Sequence, residues 1–243
     1  MIHQCFRRIM TTLLLLTAFP TIATNLDISQ QQAQKLDQAE ILFTMKGSNT
    51  IGEKLAPALA AKYLIERGAT ETEIIQTHTV EKTVIGTMQN GDIQAIDIKA
   101  HGSSTGFKAL ADSNTDIAMS SRRVKDKERQ SLMGQYGDLK AMANEYTIAV
   151  DGLAVIVHPD LNIKQLNTKQ LSMIFSGELT NWRELGGINQ PISVFARDDN
   201  SGTYDTFKSL VLKRHKVTLS DNAKRYESSG ELSEQVSSTF GAI

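Results

Sequence analysis

Four short segments of this chain join glycine and hydroxyl side chains to the start of a helix: Lys46-Gly47-Ser48-Asn49-Thr50, His101-Gly102-Ser103-Ser104-Thr105-Gly106, Met119-Ser120-Ser121-Arg122 and Arg197-Asp198-Asp199-Asn200-Ser201-Gly202-Thr203. The first turn of a helix leaves four backbone N–H groups without intrahelical partners, and the aligned peptide dipoles add about half a positive charge there. Glycine lets the backbone approach a ligand closely, and a Ser or Thr hydroxyl adds a donor pointing the same way, so such a segment can grip a tetrahedral anion. Any one of these loops has a plainer explanation, because Ser, Thr and Asn are the preferred N-caps of any helix. Four of them, with Arg197 at a strand end four residues before Ser201, favour a shared oxyanion site in which the guanidinium meets two oxygens at once.

Other chemistries are weaker. Gly102-Ser103-Ser104-Thr105-Gly106 fits the Gly-x-Ser-x-Gly elbow of a secreted serine hydrolase, with Ser104 as nucleophile and Asp160 and His215 in the expected order. The pattern is short, Asp160 follows Pro159 as a turn residue would, and His215 sits in a basic helix end. His3, His78, His101, His158 and His215 show no metal-ligand spacing, so no metal and no cofactor is expected, and the chain reads as a binding protein rather than an enzyme. His101, at a strand end, reads either as an extra donor into the crevice or, more commonly for such a position, as a water-exposed side chain. The formal charge of −1 supplies no basic field for nucleic acid.

The elements needed to position these loops are legible in outline. Arg7 and Arg8 precede the apolar run Ile9 to Phe19, followed by small residues at Thr21-Ile22-Ala23, the pattern of a cleaved export signal over residues 1–24. That run is too short to span a bilayer, which needs about 20 residues. The single cysteine, Cys5, would leave with the signal, so the mature chain has no thiol. Removing Arg7 and Arg8 from the 26 basic residues leaves 24 against 27 acidic, so an anion must be held by aimed donors and not by net attraction. Residues 25–40 read as a polar tail or loosely docked helix. Strand-like and helix-like stretches then alternate: strand 41–46, a helix 50–67 with Leu55, Leu59, Tyr63 and Leu64 on one face, a β-rich segment 74–88, the Asn90-Gly91 turn, a strand around Ile93–Ile98, helix 105–111, strand 115–119 and helix 125–135. Residues 148–158 form an apolar β run broken by Asp151-Gly152, where a crossover between lobes 41–149 and 150–243 is expected. Helix 168–175, strand 192–196, helix 203–213 and helix 231–238 complete the chain. This alternation predicts a two-lobed α/β fold of mostly parallel sheets with helices on both faces, whose helix starts gather at one sheet edge. The end at Phe240-Gly241-Ala242-Ile243 reads as the beginning of a further strand, so a C-terminally truncated two-lobed fold is expected.

The loop order, above all Arg-x-x-x-Ser-Gly-Thr at 197–203, resembles the periplasmic phosphate-binding proteins of phosphate ABC importers. The segment from Leu171 to Gly187, including Asn181-Trp182, looks like a second signature of that family, and Phe175 and Trp182 in it read as packing residues. The resemblance covers Ile41 to Ile243. It implies inorganic phosphate held by Thr50, the Ile51 amide, Ser103, Ser121, Arg197, Ser201, Gly202 and Thr203, with Ser48, Asn49 and Ser104 as further candidates. At Ser121 the family's well-studied members carry an Asp that accepts the phosphate proton; a Ser hydroxyl can donate or accept, which weakens discrimination against sulfate. The resemblance also implies a monomeric periplasmic or secreted protein serving ABC transporter membrane subunits, or an envelope-interaction or sensory module that keeps the same fold.

Overall fold

The computed structural model describes residues 28–243; the expected export signal lies outside the described residues. Helix α1 (Gln30–Gln38) is followed by β1 (Glu40–Gly47), α2 (Asn49–Gly52), α3 (Leu55–Glu66), β2 (Ala69–His78), β3 (Glu81–Met88), β4 (Ile93–Lys99), α4 (Ser103–Ala111), β5 (Ile117–Met119) and α5 (Asp126–Tyr136). The second half holds α6 (Thr168–Ser176), β6 (Phe195–Arg197), α7 (Gly202–Phe207), β7 (Lys224–Tyr226) and α8 (Ser229–Ser238), with short 3-10 turns between.

The larger sheet has the order β2-β3-β4-β1-β5, and β6 and β7 form a second sheet. β1 pairs in parallel with β4 and β5, and β6 with β7, while β2-β3-β4 is an antiparallel meander turned at Asn90-Gly91. Three of the five pairings are therefore parallel, as the alternation of elements predicts. Alternate side chains point to opposite faces of a strand. Val84 and Ile96 accordingly pack beneath α3, whereas Ile85 and Ala95 pack beneath α1.

Helix α1 is capped by Ser29 and Gln32 and tied to the sheet by Gln32 and Lys35, both bonded to Glu73. The expected helix 50–67 is two helices, because Lys54 leaves the helical backbone region before α3 begins. Its buried face is also one position around from expectation. Ala56, Ala60 and Leu64 face the sheet, while Leu55, Leu59 and Tyr63 are 38%, 50% and 41% exposed. Small alanines let the helix axis settle close to the strands, and the larger side chains are left at the rim.

Residues 148–158 form no strand. The segment stays unpaired except for His158 N–H, which donates to Ala242 O at 3.0 Å, and Val150 is 97% exposed. A strand needs a neighbour that takes its hydrogen bonds along its length, and among the described residues only His158, at the end of this run, finds one. The last residues do extend the second sheet: Phe195 N–H donates to Ile243 O at 2.9 Å and Ile243 N–H to Ser193 O at 3.0 Å. The expected helix 203–213 is α-helical only to Phe207, continues as a π turn over Lys208–Leu212 and ends in a 3-10 turn closed by Lys216 at φ 58°.

The second-half core gathers Phe175, Trp182, Phe207, Leu212 and Ile243. Phe175 and Trp182 are packing residues, as expected; the rings of Phe175 and Phe207 lie 4.5 Å apart, and Trp182 Nε1 donates to Gly241 O at 2.9 Å. Among the described residues no helix is long and apolar enough to cross a membrane.

Candidate functional site

Parallel strands end on the same side, so β1, β4 and β5 deliver the first three predicted loops to one sheet edge. There the loops bind one another through their backbones. Ser48 N–H donates to Met119 O at 2.9 Å, and Gly102 N–H to Gly47 O at 2.7 Å. The fourth loop, after β6, meets them from the second half: Ser104 N–H donates to Asn200 O at 3.2 Å. Gly102 is required at this junction. Its φ is 105°, and a Cβ there would stand 2.5 Å from Asn200 O.

The hydroxyls meet where the loops converge. Thr50 Oγ1 and Thr203 Oγ1 share a hydrogen bond of 3.2 Å, and Ser103 Oγ and Ser121 Oγ one of 3.3 Å; Ser121 N–H also donates to Ser103 Oγ at 3.1 Å. Gly202 closes over the serine pair so tightly that a Cβ would overlap Ser103 Oγ and stand 2.5 Å from Ser121 Oγ. Ser201 caps α7, its Oγ accepting from Tyr204 N–H at 3.3 Å, so its hydroxyl has the ordinary N-cap role. Asn49 is bonded on both sides, to Ala100 O and from Ser229 N–H. Ser48 differs: it is 1% exposed, and its Oγ has no partner among the described residues.

Arg197 is 7% exposed. Its Nε donates to Tyr226 O at 3.2 Å, and its terminal nitrogens to Ser229 Oγ and Glu227 O. A guanidinium carries five N–H groups. Among the described residues two are therefore left without an acceptor, one on each terminal nitrogen. Arg197 forms no ion pair among the described residues; burial pushes its pKa down, and Asp198, Glu53 and Glu227 oppose this from further away.

Two side chains take roles that sequence reasoning missed. His101 neither enters the crevice as a free donor nor stands free in water. Nε2 meets Glu81 and Nδ1 meets Glu227, each at 2.7 Å, bridging β3 to the segment before α8. Burial lowers the imidazole pKa, but the two carboxylates outweigh it and hold it above the ordinary value. Arg122 links the third loop to Glu128 on α5, to Asp205 on α7 and to Ser104. No signal in the local sequence marks either arrangement, since the acceptors lie in other elements.

The hydrolase reading finds no support in this geometry. Ser104 Oγ accepts from Arg122 rather than meeting a histidine, His215 bonds Thr168 Oγ1 at 3.3 Å, and Asp160 lies in a 3-10 turn capped by His158. Among the described residues no group of His, Cys, Asp and Glu is placed to hold a metal ion.

Residues 64–243 match the model of the PBP superfamily domain. The chain belongs to the PBP superfamily. The phosphate-binding protein PstS of Bacillus subtilis strain 168 is 35% identical over 117 residues, which cover 48% of this chain and 36% of that protein. PstS of Pseudomonas aeruginosa PAO1 is 33% identical over 160 residues, 61% of this chain and 48% of that protein. The chain thus spans about half, or less, of the length of these relatives. Among solved structures, a candidate phosphate ABC transporter substrate-binding protein from Clostridium perfringens with bound phosphate superposes with a TM-score of 0.61 at 28% identity, covering 84% of this chain and 69% of that one. An ABC-type phosphate transport receptor from Vibrio cholerae gives 0.53 at 25% identity, covering 82% and 68%.

Proposed function

We propose that the crevice binds inorganic phosphate or a closely related tetrahedral oxyanion outside the cytoplasm, for delivery to the membrane subunits of an ABC importer. The observation that carries this reading is Arg197. A guanidinium buried without a carboxylate is unfavourable unless something else neutralises it, and this one keeps two N–H groups undonated at the edge where four hydroxyl loops meet. The orphaned hydroxyl of Ser48 adds a second group in want of a partner.

In this reading Thr50, Ser103, Ser121, Thr203 and the Ile51 and Gly202 amides supply the remaining donors, and Ser201 holds α7 in place. Thr50 and Thr203 bond each other between the lobes 41–149 and 150–243, so the anion enters when the lobes part and replaces that contact, with the Ser103–Ser121 pair of the first lobe turning toward it, as a monomeric protein closes around it. Hydrogen bonds to a charged group contribute about 1.5–3 kcal/mol each. Micromolar affinity needs about 8 kcal/mol net, which several such donors supply after the costs of ordering. Two carboxylates beside the second and third loops, Asp205 and Glu128, are both engaged by Arg122, so neither stands in for a proton-accepting Asp at the Ser121 position. Calorimetric titration with phosphate, sulfate, arsenate and a phosphate monoester tests the proposal. Micromolar binding of phosphate and arsenate, with sulfate competing and the ester excluded by the narrow crevice, is expected; failure of every inorganic oxyanion to bind refutes it.

A further inference from the structure

Two arginines border the crevice and differ in one respect. Arg197 has donors to spare, whereas Arg122 has none. The Arg122 Nε donates to Asp205 Oδ2 at 2.8 Å. One terminal nitrogen donates to Glu128 Oε2 at 2.8 Å and to Arg123 O at 3.0 Å; the other donates to Glu128 Oε1 at 2.7 Å and to Ser104 Oγ at 3.0 Å. All five N–H groups are thus spent. The side chain is 8% exposed, its charge is met by two carboxylates, and its guanidinium carbon stands 5.2 Å from the centre of the Phe107 ring of α4.

The acceptors come from four places: the start of α4, the loop after β5, α5 and α7. Ser104 follows Ser103, Arg122 follows Ser121, and Asp205 lies two residues after Thr203. The side chain therefore joins the backbone behind three of the hydroxyls that meet in the crevice. Fixed charge pairs at such a junction set distances more rigidly than a flexible lysine could, because the planar fork dictates the angle of each partner.

We propose that Arg122 is a positioning residue: it fixes the second and third loops against the head of α7 and so sets the width of the crevice, without touching the ligand. The consequence for affinity rests on the oxyanion reading above; the fixing of the loops does not. Asp205→Ala is the informative variant: it cuts the link to α7, together with the ion pair of Asp205 with Lys125, while Arg122 stays paired in two-pronged fashion with Glu128, which spares folding. Simple electrostatics says that removing a negative charge beside an anion site tightens binding, and tightening is also expected if Arg122, once freed, were a ligand contact. Positioning predicts the opposite sign.

Two measurements on the purified chain decide the matter: calorimetric titration with inorganic phosphate, and amide hydrogen exchange without phosphate at residues 103–105 and 121–124. Asp205 also pairs with Lys125 Nζ at 2.6 Å, next to the second stretch, so Lys125→Met is the control: it removes that contact alone and should leave exchange at 103–105 unchanged. Expected are phosphate binding weaker by about tenfold and faster exchange in that window, with Asp205→Glu restoring much of both. Unchanged or tighter phosphate binding overturns the proposal. Should the unmodified chain bind no phosphate at all, the oxyanion reading fails by itself, and the exchange data still decide: unchanged protection overturns the positioning role and accelerated exchange upholds it.

Discussion

Replacing Arg197 by Met keeps an apolar stem of similar length and removes the guanidinium. Two N–H groups of Arg197 have no acceptor among the described residues, so in the proposed reading an oxyanion gains two charge-assisted hydrogen bonds there. At about 1.5–3 kcal/mol each their loss amounts to about 3–6 kcal/mol, or roughly 10²- to 10⁴-fold in Kd. Stability without anion follows a different account. The variant strands Tyr226 O, Glu227 O and Ser229 Oγ, which is unfavourable, yet it also removes a buried cation that has no ion pair among the described residues. These effects oppose one another, so the anion-free Tm is expected to move little. The response to phosphate should disappear. At a ligand concentration of 100 Kd the unmodified chain gains about 2.7 kcal/mol, which for a chain of this size is roughly 5–11 °C in Tm. Scanning calorimetry across a phosphate series reads both quantities. An Arg197→Met variant that keeps the phosphate-dependent rise would refute the assignment, because the guanidinium would then be a purely structural donor to the 226–229 segment.

Gly202→Ala drives a methyl into Ser103 Oγ and Ser121 Oγ; overpacking of this kind costs about 1–3 kcal/mol, and phosphate affinity measured by calorimetry should fall at least tenfold, whereas unaltered affinity would mean that the serine pair is not part of the site. His101 bridges Glu81 and Glu227, with Lys99 beside Glu81, and its folded pKa is raised by the two carboxylates against the effect of burial. Its stabilisation is therefore fully present below the unfolded value of about 6.5 and lost as pH rises through the raised folded value. Urea denaturation of the unmodified chain and of His101→Gln should show a stability gap that narrows from pH 5.5 to 8.5, and a gap independent of pH would exclude an imidazolium bridge. Trp182, the single tryptophan of the chain, is fully buried and bonded to Gly241 O. Trp182→Ala should cost about 3–5 kcal/mol and Trp182→Phe, which removes the N–H and part of the ring volume, about 1–3 kcal/mol, both read by circular dichroism in urea; a Phe variant as costly as Ala would show that the retained ring packing contributes little.

What could be read from the residues, and what could not, divides along one physical line. Strand ends and glycine-hydroxyl loops are local signals, and parallel pairing of β1 with β4 and β5 turns their sequence order into a common edge; this is why the pairings of Thr50 with Thr203 and of Ser103 with Ser121 join positions already singled out. Apolar content is local too, but what it packs against is not. In α3 the bulky Leu55, Leu59 and Tyr63 suggested the buried face, and the sheet instead took the alanine stripe that lets the helix approach. Residues 148–158 have the composition of a strand and lack the neighbour that would make them one. The sharpest case is the pair of arginines. Each lies at or just after a strand end beside a hydroxyl loop; the spacing to Ser201-Gly202-Thr203 singles out Arg197, but nothing in the sequence shows what becomes of the charge on Arg122. The distinction is made by Glu128 and Asp205, one on α5 and the other on α7, which with Arg123 O and Ser104 Oγ consume every donor of Arg122, while Arg197, among the described residues, meets only carbonyls and a hydroxyl and keeps two donors and an unpaired charge. Function at this edge thus depends less on which residues are cationic than on which cation the fold leaves incompletely satisfied, and that is a property of acceptors brought from distant parts of the chain.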